Sequence, residues 1–266
     1  MNTAIKIKNL SYKYARNLPN AIDEINLNFF ENKFTTVLGP NGCGKSTLAK
    51  SIVKLLKSAP GAIKVFDQDI SKLSNKKLAQ IISYIPQTIE IPQGVRVIDF
   101  ITYGRNPYLG ITGILSKNDK DIINKTIKDM GIESLAHKFM QDLSGGQRQK
   151  VILALCLVQD TPIIILDEPT TYLDVKNQYE LLESLKHLQL YKNKTIIAIL
   201  HDLNQAIQYS DYIYVLKDGH VKATGFPDDV ITKELLKDVY DIDACLIDTL
   251  CPKLVHNIKV KHYIKS

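Results

Sequence analysis

The sequence predicts an α/β fold in which a parallel sheet with crossover helices is split by a helical insertion. Three observations carry this. Residues 163–166 (IIIL) and 195–200 (TIIAIL) are continuous apolar runs of the kind buried on both faces of a parallel sheet. A glycine-rich segment at 39–44 separates a β-branched run from a helical pattern. Between residues 93 and 159 helical stretches dominate, with Gly and Pro between them.

Taken in order, β-branched and aromatic content predicts strands over 5–8, 25–30 and 34–38. A helix is expected over 47–56, then strands over 62–65 and 81–85. Helical periodicity follows over 120–130 and 147–158. After the two apolar strands, residues 212–216 and 221–224 flank Asp218-Gly219, a hairpin signature. The segment 227–266 contains a helix near 232–240 and then a short mixed stretch. There is no internal repeat, low-complexity tract or heptad run.

The chain has 266 residues and 45% hydrophobic content, enough for one α/β core without disulfide or metal staples. Its net charge is +6, and all but four of its 34 basic residues are lysines scattered along the chain. A nucleic-acid groove leans on clustered arginine, so no nucleic-acid partner is expected. Cys43, Cys156, Cys245 and Cys251 form no CxxC pair and no metal-ligand spacing, which suits reduced thiols. The opening stretch MNTAIKIKNLSYKYAR lacks a signal-peptide apolar run. The longest apolar run, 151–158, is far short of the ~18 residues of a membrane span, so a cytosolic chain is expected.

Gly39, Pro40, Asn41, Gly42, Cys43, Gly44, Lys45 and Ser46 satisfy G-x-x-x-x-G-K-[ST] between a predicted strand and helix. Glycines let backbone N–H groups approach phosphate oxygens. Lys45 reaches the β- and γ-phosphates, and Ser46 offers a hydroxyl to Mg²⁺ at a positive helix start. Cys43 inside the loop raises the expectation that alkylation would block ATP entry; the alternative is a small residue that merely fits. Residues 163–170 (IIILDEPT) deliver carboxylates at the C-terminal end of a buried strand, where open α/β sheets bind ligands. Asp167 suits the water shell of Mg²⁺, and Glu168 suits polarisation of an attacking water.

Ser144 and Gln147 in LSGGQ form a capping box at a helix start. Gly145 and Gly146 in that first turn cost about 1 kcal/mol each relative to alanine. A bare start makes sense if another molecule's phosphate approaches it.

With these motifs in this order, the chain resembles the ATP-binding cassette (ABC) ATPases over nearly its whole length. The resemblance implies a P-loop NTPase (RecA-like) core with an antiparallel β subdomain and an inserted α-helical subdomain. It divides a single domain into a core (1–87 and 161–225), a helical part (88–160) and a C-terminal helix and tail (226–266). It also implies roles for further residues. Gln87 matches the Q-loop glutamine contacting Mg²⁺, His201 the switch histidine near the γ-phosphate, and Asp174 the D-loop. Tyr172 stands where the family more often has a small residue. Tyr14 matches the adenine-stacking aromatic, with Tyr12 as the alternative ring. Thr47 completes the phosphate loop. Ser144, Gly145, Gly146, Gln147 and Asp174 are then expected to act in trans on ATP held by a second copy, in a homodimer that ATP closes and hydrolysis at Glu168 reopens.

Within the family the sequence looks closest to cassettes of ferric-siderophore, haem and cobalamin importers. That likeness rests on Gly42-Cys43-Gly44-Lys45, on Gly104-Arg105-Asn106-Pro107-Tyr108, on 167–174 (DEPTTYLD) and on 201–206 (HDLNQA). Expected partners are two integral-membrane permease subunits and, indirectly, an extracytoplasmic binding lipoprotein. The expected location is the cytoplasmic face of the membrane. An exporter subunit or a non-transport cassette is the alternative.

Overall fold

The structure is a computed structural model that describes residues 1–247 and 254–260; Cys251 lies outside them. The chain opens with β1 (Thr3–Tyr12), β2 (Ile22–Phe30) and β3 (Phe34–Leu38), then α1 (Lys45–Ile52). Next come β4 (Ile63–Val65), β5 (Gln68–Asp69), α2 (Asn75–Ala79) and β6 (Ile82–Ile85). Between β6 and β7 the described elements are helical: α3 (Val97–Thr102), α4 (Lys117–Asp129), α5 (Gly145–Val158) and short 3-10 turns. There follow β7 (Ile163–Asp167), α6 (Val175–Lys192), β8 (Thr195–Ile199), α7 (Leu203–Tyr209), β9 (Tyr212–Lys217) and β10 (His220–Gly225). The last elements are α8 (Pro227–Val230), α9 (Lys233–Tyr240), β11 (Ile242–Ile247) and β12 (Leu254–Val260).

Six strands form one sheet in the order β10-β9-β3-β8-β7-β6. Its four pairings from β9 to β6 are parallel, and β10 closes the edge antiparallel to β9. The β9–β10 turn is Asp218-Gly219, both at positive φ, as a two-residue primed hairpin turn demands. A second, antiparallel sheet runs β2-β1-β4-β5, and β11 pairs with β12.

Every residue of β3, β7 and β8 is buried, because these strands carry packing on both faces. Strand alternation divides β7 between two cores. Ile164 and Leu166 join the core built on α3–α6, with Ile101, Val151 and Leu182. Ile163 and Ile165 face α1 and the antiparallel sheet, with Leu48, Ile5 and Ile63. Each such side chain contributes about 1.5–3 kcal/mol on burial. The face carrying Ile163 and Ile165 is also the one that carries Asp167.

The Gly104–Tyr108 segment proves to be an architectural clasp at the end of α5. Arg105 Nε bonds the Asp119 carboxylate at 2.7 Å and Nη1 bonds Val158 O at 2.9 Å, while the guanidinium lies 3.8 Å from the Tyr108 ring centroid. The Tyr108 hydroxyl donates to Gln159 O. Two of the carbonyls that a helix end leaves unpaired are thereby satisfied. A Cβ at position 104 would stand 2.5 Å from Leu155 O, so glycine is required for the approach.

Two differences from the sequence reading have physical causes. The helix expected over 47–56 starts at Lys45 and stops at Ile52, because Lys54 turns to φ 61 and folds the chain back on α1. The stretch 175–192, not singled out in the sequence, is the 18-residue α6, which buries only the narrow stripe Leu181, Leu182, Leu185 and Gln189.

Candidate active site

The glycine-rich loop is shaped by close backbone approaches. Gly39 has φ 144, and a Cβ there would stand 2.1 Å from Leu216 O; Gly44 has φ 104, and its Cβ would stand 2.4 Å from Ala21 O. Only glycine fits either position. α1 then begins at Lys45 with no side-chain cap and no acidic residue in its first turn. Its leading amides and the positive end of its dipole are left for a ligand. Lys45 is buried, its ammonium donating to Gly39 O at 2.8 Å and Pro40 O at 2.9 Å. The Asp218-Gly219 turn braces the loop, with Gly219 N–H donating to Cys43 O.

Cys43 is 3% exposed, and burial pushes its thiol pKa up. A buried, protonated thiol is a poor nucleophile. Of the two readings of Cys43, this burial favours the small residue that fits.

At the end of β7 two consecutive carboxylates diverge. Asp167 is 2% exposed; its Oδ1 accepts from Ser46 Oγ at 2.9 Å and its Oδ2 from the Tyr84 hydroxyl at 3.2 Å. Burial raises the Asp167 pKa, and the bonds from Ser46 and Tyr84 oppose that shift. Glu168 turns the other way. Its Oε1 lies 2.7 Å from His201 Nε2, and its Oε2 accepts from Gln87 Nε2 at 2.6 Å. Thr171 Oγ1 is 3.5 Å from Oε2. Glu168 sits at φ 53 directly before Pro169, a backbone state that costs on the order of 1–3 kcal/mol and is common at functional sites.

Asn41, Gly42, Ser46, Gln87, Glu168, Thr171 and His201 line one cleft of about 470 Å³. Gln87, matched by resemblance to a Mg²⁺ contact, shares this cleft with Ser46 and donates to Glu168. Tyr14 is 55% exposed with its hydroxyl 3.1 Å from Thr47 Oγ1, while Tyr12 is half-buried and meets Tyr14 edge-on at 5.1 Å. Of the two rings, Tyr14 is the one free to take a base on its face.

Ser144, Gly145, Gly146, Gln147 and Asp174 do not line this cleft. The capping box is present, with Ser144 Oγ accepting from Gln147 N and Gln147 Oε1 accepting from Ser144 N. The two glycines differ. A Cβ at Gly145 would meet nothing, whereas one at Gly146 would stand 2.6 Å from the Asn177 side chain. Asn177 is itself held by Asp174, the N-cap of α6, which accepts from its backbone N and its Nδ2. Gly146 thus has a packing reason within the chain, and Gly145 is the one left open to an outside group. Sequence reasoning missed Tyr84 and Thr171. For Tyr84 the available signal was strand alternation, which sets it on the Asp167 face.

The ABC transporter family profile matches residues 22–171, more than half of the chain. The iron(3+)-hydroxamate import ATP-binding protein FhuC of Bacillus subtilis (strain 168) is 39% identical over 226 residues, 85% of this chain and 84% of that protein. The petrobactin import ATP-binding protein FpuD of Bacillus anthracis is 37% identical over 94% of this chain and 90% of that protein. Among solved structures, a chain of an inward-facing ABC transporter described as of metal-chelate type superposes with a TM-score of 0.84 at 25% identity, covering 98% of this chain and 99% of that one. The dimeric bacterial cassette MJ0796 superposes at 0.73 with 28% identity, over 84% of this chain and 98% of that one. Among the described residues no helix is long and apolar enough to cross a membrane. With a phosphate loop, paired carboxylates and a capped glycine helix start on a P-loop NTPase fold, the chain belongs to the ABC transporter family as one of its nucleotide-binding ATPases.

Proposed function

We propose that this ATPase powers import of an iron complex, with ferric siderophore as the first choice of cargo and haem or cobalamin next. It would do so through two separate membrane permease subunits fed by an extracytoplasmic binding lipoprotein, from the cytoplasmic face of the membrane. The cargo class rests on the relatives, which are named for hydroxamate and petrobactin import. The chemistry rests on one observation: Glu168 is clamped between Gln87 and His201 at the mouth of the uncapped α1 start.

In this reading Tyr14 stacks on adenine, and residues 39–47 hold the phosphates through loop amides and Lys45. A metal fits the adjacent donors, since the Ser46 hydroxyl and the Asp167 carboxylate are hard oxygen groups 2.9 Å apart. When bound, Mg²⁺ neutralises charge on the phosphate oxygens. Glu168 takes a proton from the attacking water as its oxygen bonds the γ-phosphorus and the bond to the β-phosphate oxygen breaks. ADP and phosphate result, and His201 holds the carboxylate in place. Ser144, Gly145, Gly146, Gln147 and Asp174 act in trans, so the working unit is a homodimer. Residues 88–160 form the helical part that meets the permease.

The test is uptake of radio-iron as ferric siderophore in cells lacking the gene, rescued by wild type or Glu168→Gln. Uptake restored by wild type alone supports the reading. Rescue by both proteins refutes the role of Glu168. Uptake unaffected by the deletion, with haem and cobalamin uptake also unaffected, refutes the import assignment.

A further inference from the structure

Tyr84 lies three residues before Gln87 on β6, and the roles assigned so far leave it unused. Register places it: β6 and β7 run parallel with Tyr84 opposite Ile165, so Asp167, two residues further along β7, shares its face. On that face the phenol reaches diagonally across to Asp167 Oδ2 at 3.2 Å, while Ser46 at the start of α1 holds Oδ1 at 2.9 Å. Among the described residues these are the two groups hydrogen-bonded to the Asp167 carboxylate. The ring of Tyr84 is half-buried against the core of α1 and the antiparallel sheet, so its hydroxyl cannot swing away without unpacking the ring. The same end of β6 also sends Gln87 to Glu168 at 2.6 Å. One strand end therefore holds both carboxylates, one through a phenol and the other through an amide.

Resting on the ATP- and Mg²⁺-binding reading above, we infer that Tyr84 is a positioning residue for the metal site: its hydroxyl fixes the Asp167 carboxylate so that Oδ1 stays turned to Ser46 and the metal. Without the phenol, Oδ2 is left in a buried position with no donor, and the carboxylate is free to rotate about its terminal torsion. The nucleotide's own contacts, made by the loop amides, Lys45 and Tyr14, do not pass through Tyr84. The consequence is selective. Removing the hydroxyl weakens what the metal adds to nucleotide binding and leaves metal-free binding alone.

The experiment compares wild type, Tyr84→Phe and Ser46→Ala in the full chain, using a fluorescent non-hydrolysable ATP analogue with EDTA and then with Mn²⁺. Tyr84→Phe keeps the ring and its packing. Its affinity in EDTA should match wild type, which also shows that the fold is intact, while the gain conferred by Mn²⁺ should fall roughly 5–10-fold, as expected for loss of a charge-assisted hydrogen bond. Ser46→Ala should lose the Mn²⁺ gain as well, because it removes both the other tether and a hydroxyl offered to the metal. A Tyr84→Phe gain equal to wild type overturns the role of Tyr84 and leaves the nucleotide site standing. A wild type that gains nothing from Mn²⁺ overturns the metal reading itself and the inference with it. An equal loss of affinity in EDTA and in Mn²⁺ marks a merely structural tyrosine and also overturns the inference.

Discussion

His201 Nε2 stands 2.7 Å from Glu168 Oε1, and Gln87 holds the opposite oxygen of the same carboxylate at 2.6 Å. The three residues come from the ends of three neighbouring parallel strands, β8, β7 and β6. A carboxylate gripped on both sides and held at a positive φ has little freedom, which is what a general base for a positioned water requires.

Glu168→Gln should therefore keep nucleotide binding and lose turnover by ~10²–10⁴, the usual contribution of a general base. The amide keeps the shape of the side chain but accepts no proton. Phosphate release measures the rate, and gel filtration with ATP should show a shift to dimer. A monomer that hydrolyses ATP at the wild-type rate would contradict the assignment.

Arg105 and Asp119 form a buried ion pair with side chains 5% and 9% exposed. Asp119→Asn or Arg105→Ala should destabilise the fold by about 3–5 kcal/mol, because each leaves the other partner's charge buried and unpaired. Bonds from Ser116, with Arg105 beside them, lower the Asp119 pKa below its ordinary 3.8. A folded pKa below the unfolded one adds stability above the ordinary carboxylate range, and that stability is lost as pH falls through the folded value. Urea unfolding should thus separate Asp119→Asn from wild type at neutral pH, and the difference should shrink in acid below the ordinary value.

Much of this architecture was legible because burial and motif coincide. β3, β7 and β8 are buried at every residue, so their apolar runs announced them, and the 39–46 loop announced the site. The clamp on Glu168 follows from where β6 and β8 end, so Gln87 and His201 could be placed by family resemblance but not aimed. The bond from Gln87 to Glu168 is one that the motif alone does not announce. Tyr84 was hidden because a tyrosine in a strand is ordinary until register shows what lies diagonal to it. α6 was hidden because its buried face is only a narrow leucine stripe. The Gly145-Gly146 pair read as a single device, yet the packing of Asn177 on Gly146 appears only once α6 is folded beside α5.

That difference makes the two glycines separable. Gly145→Ala meets open space and should leave the melting temperature unchanged, while lowering ATPase activity by obstructing the approach of a second copy's nucleotide. Gly146→Ala must displace the Asn177 amide and break its bond to Asp174, so it should lower both stability and activity. Ser144→Arg should abolish hydrolysis while leaving nucleotide binding by the single copy largely intact. Calorimetry, phosphate release and fluorescent-ATP binding read the three effects. Loss of ATP binding in Ser144→Arg would argue against action in trans.

Cys43 offers a test of the loop itself. The thiol lies beneath the phosphate loop at 3% exposure, with Lys45 Nζ 3.9 Å away and its pKa raised by burial. Little thiolate exists at neutral pH, and a reagent must displace the loop to reach it. Maleimide labelling of the Cys43 peptide, followed by mass spectrometry, should be much slower in the folded chain than in urea. Raising the pH toward 9 should leave it slow, since the folded pKa lies above the ordinary 9.0. Cys43→Ser, which keeps the small size, should retain ATPase activity, whereas Cys43→Leu should lose it: a Cβ added at Gly39 would stand only 2.7 Å from Cys43 Sγ, so the space beneath the loop is filled. Fast labelling in the folded chain, or a fully active Cys43→Leu protein, would show that the loop is not packed as described.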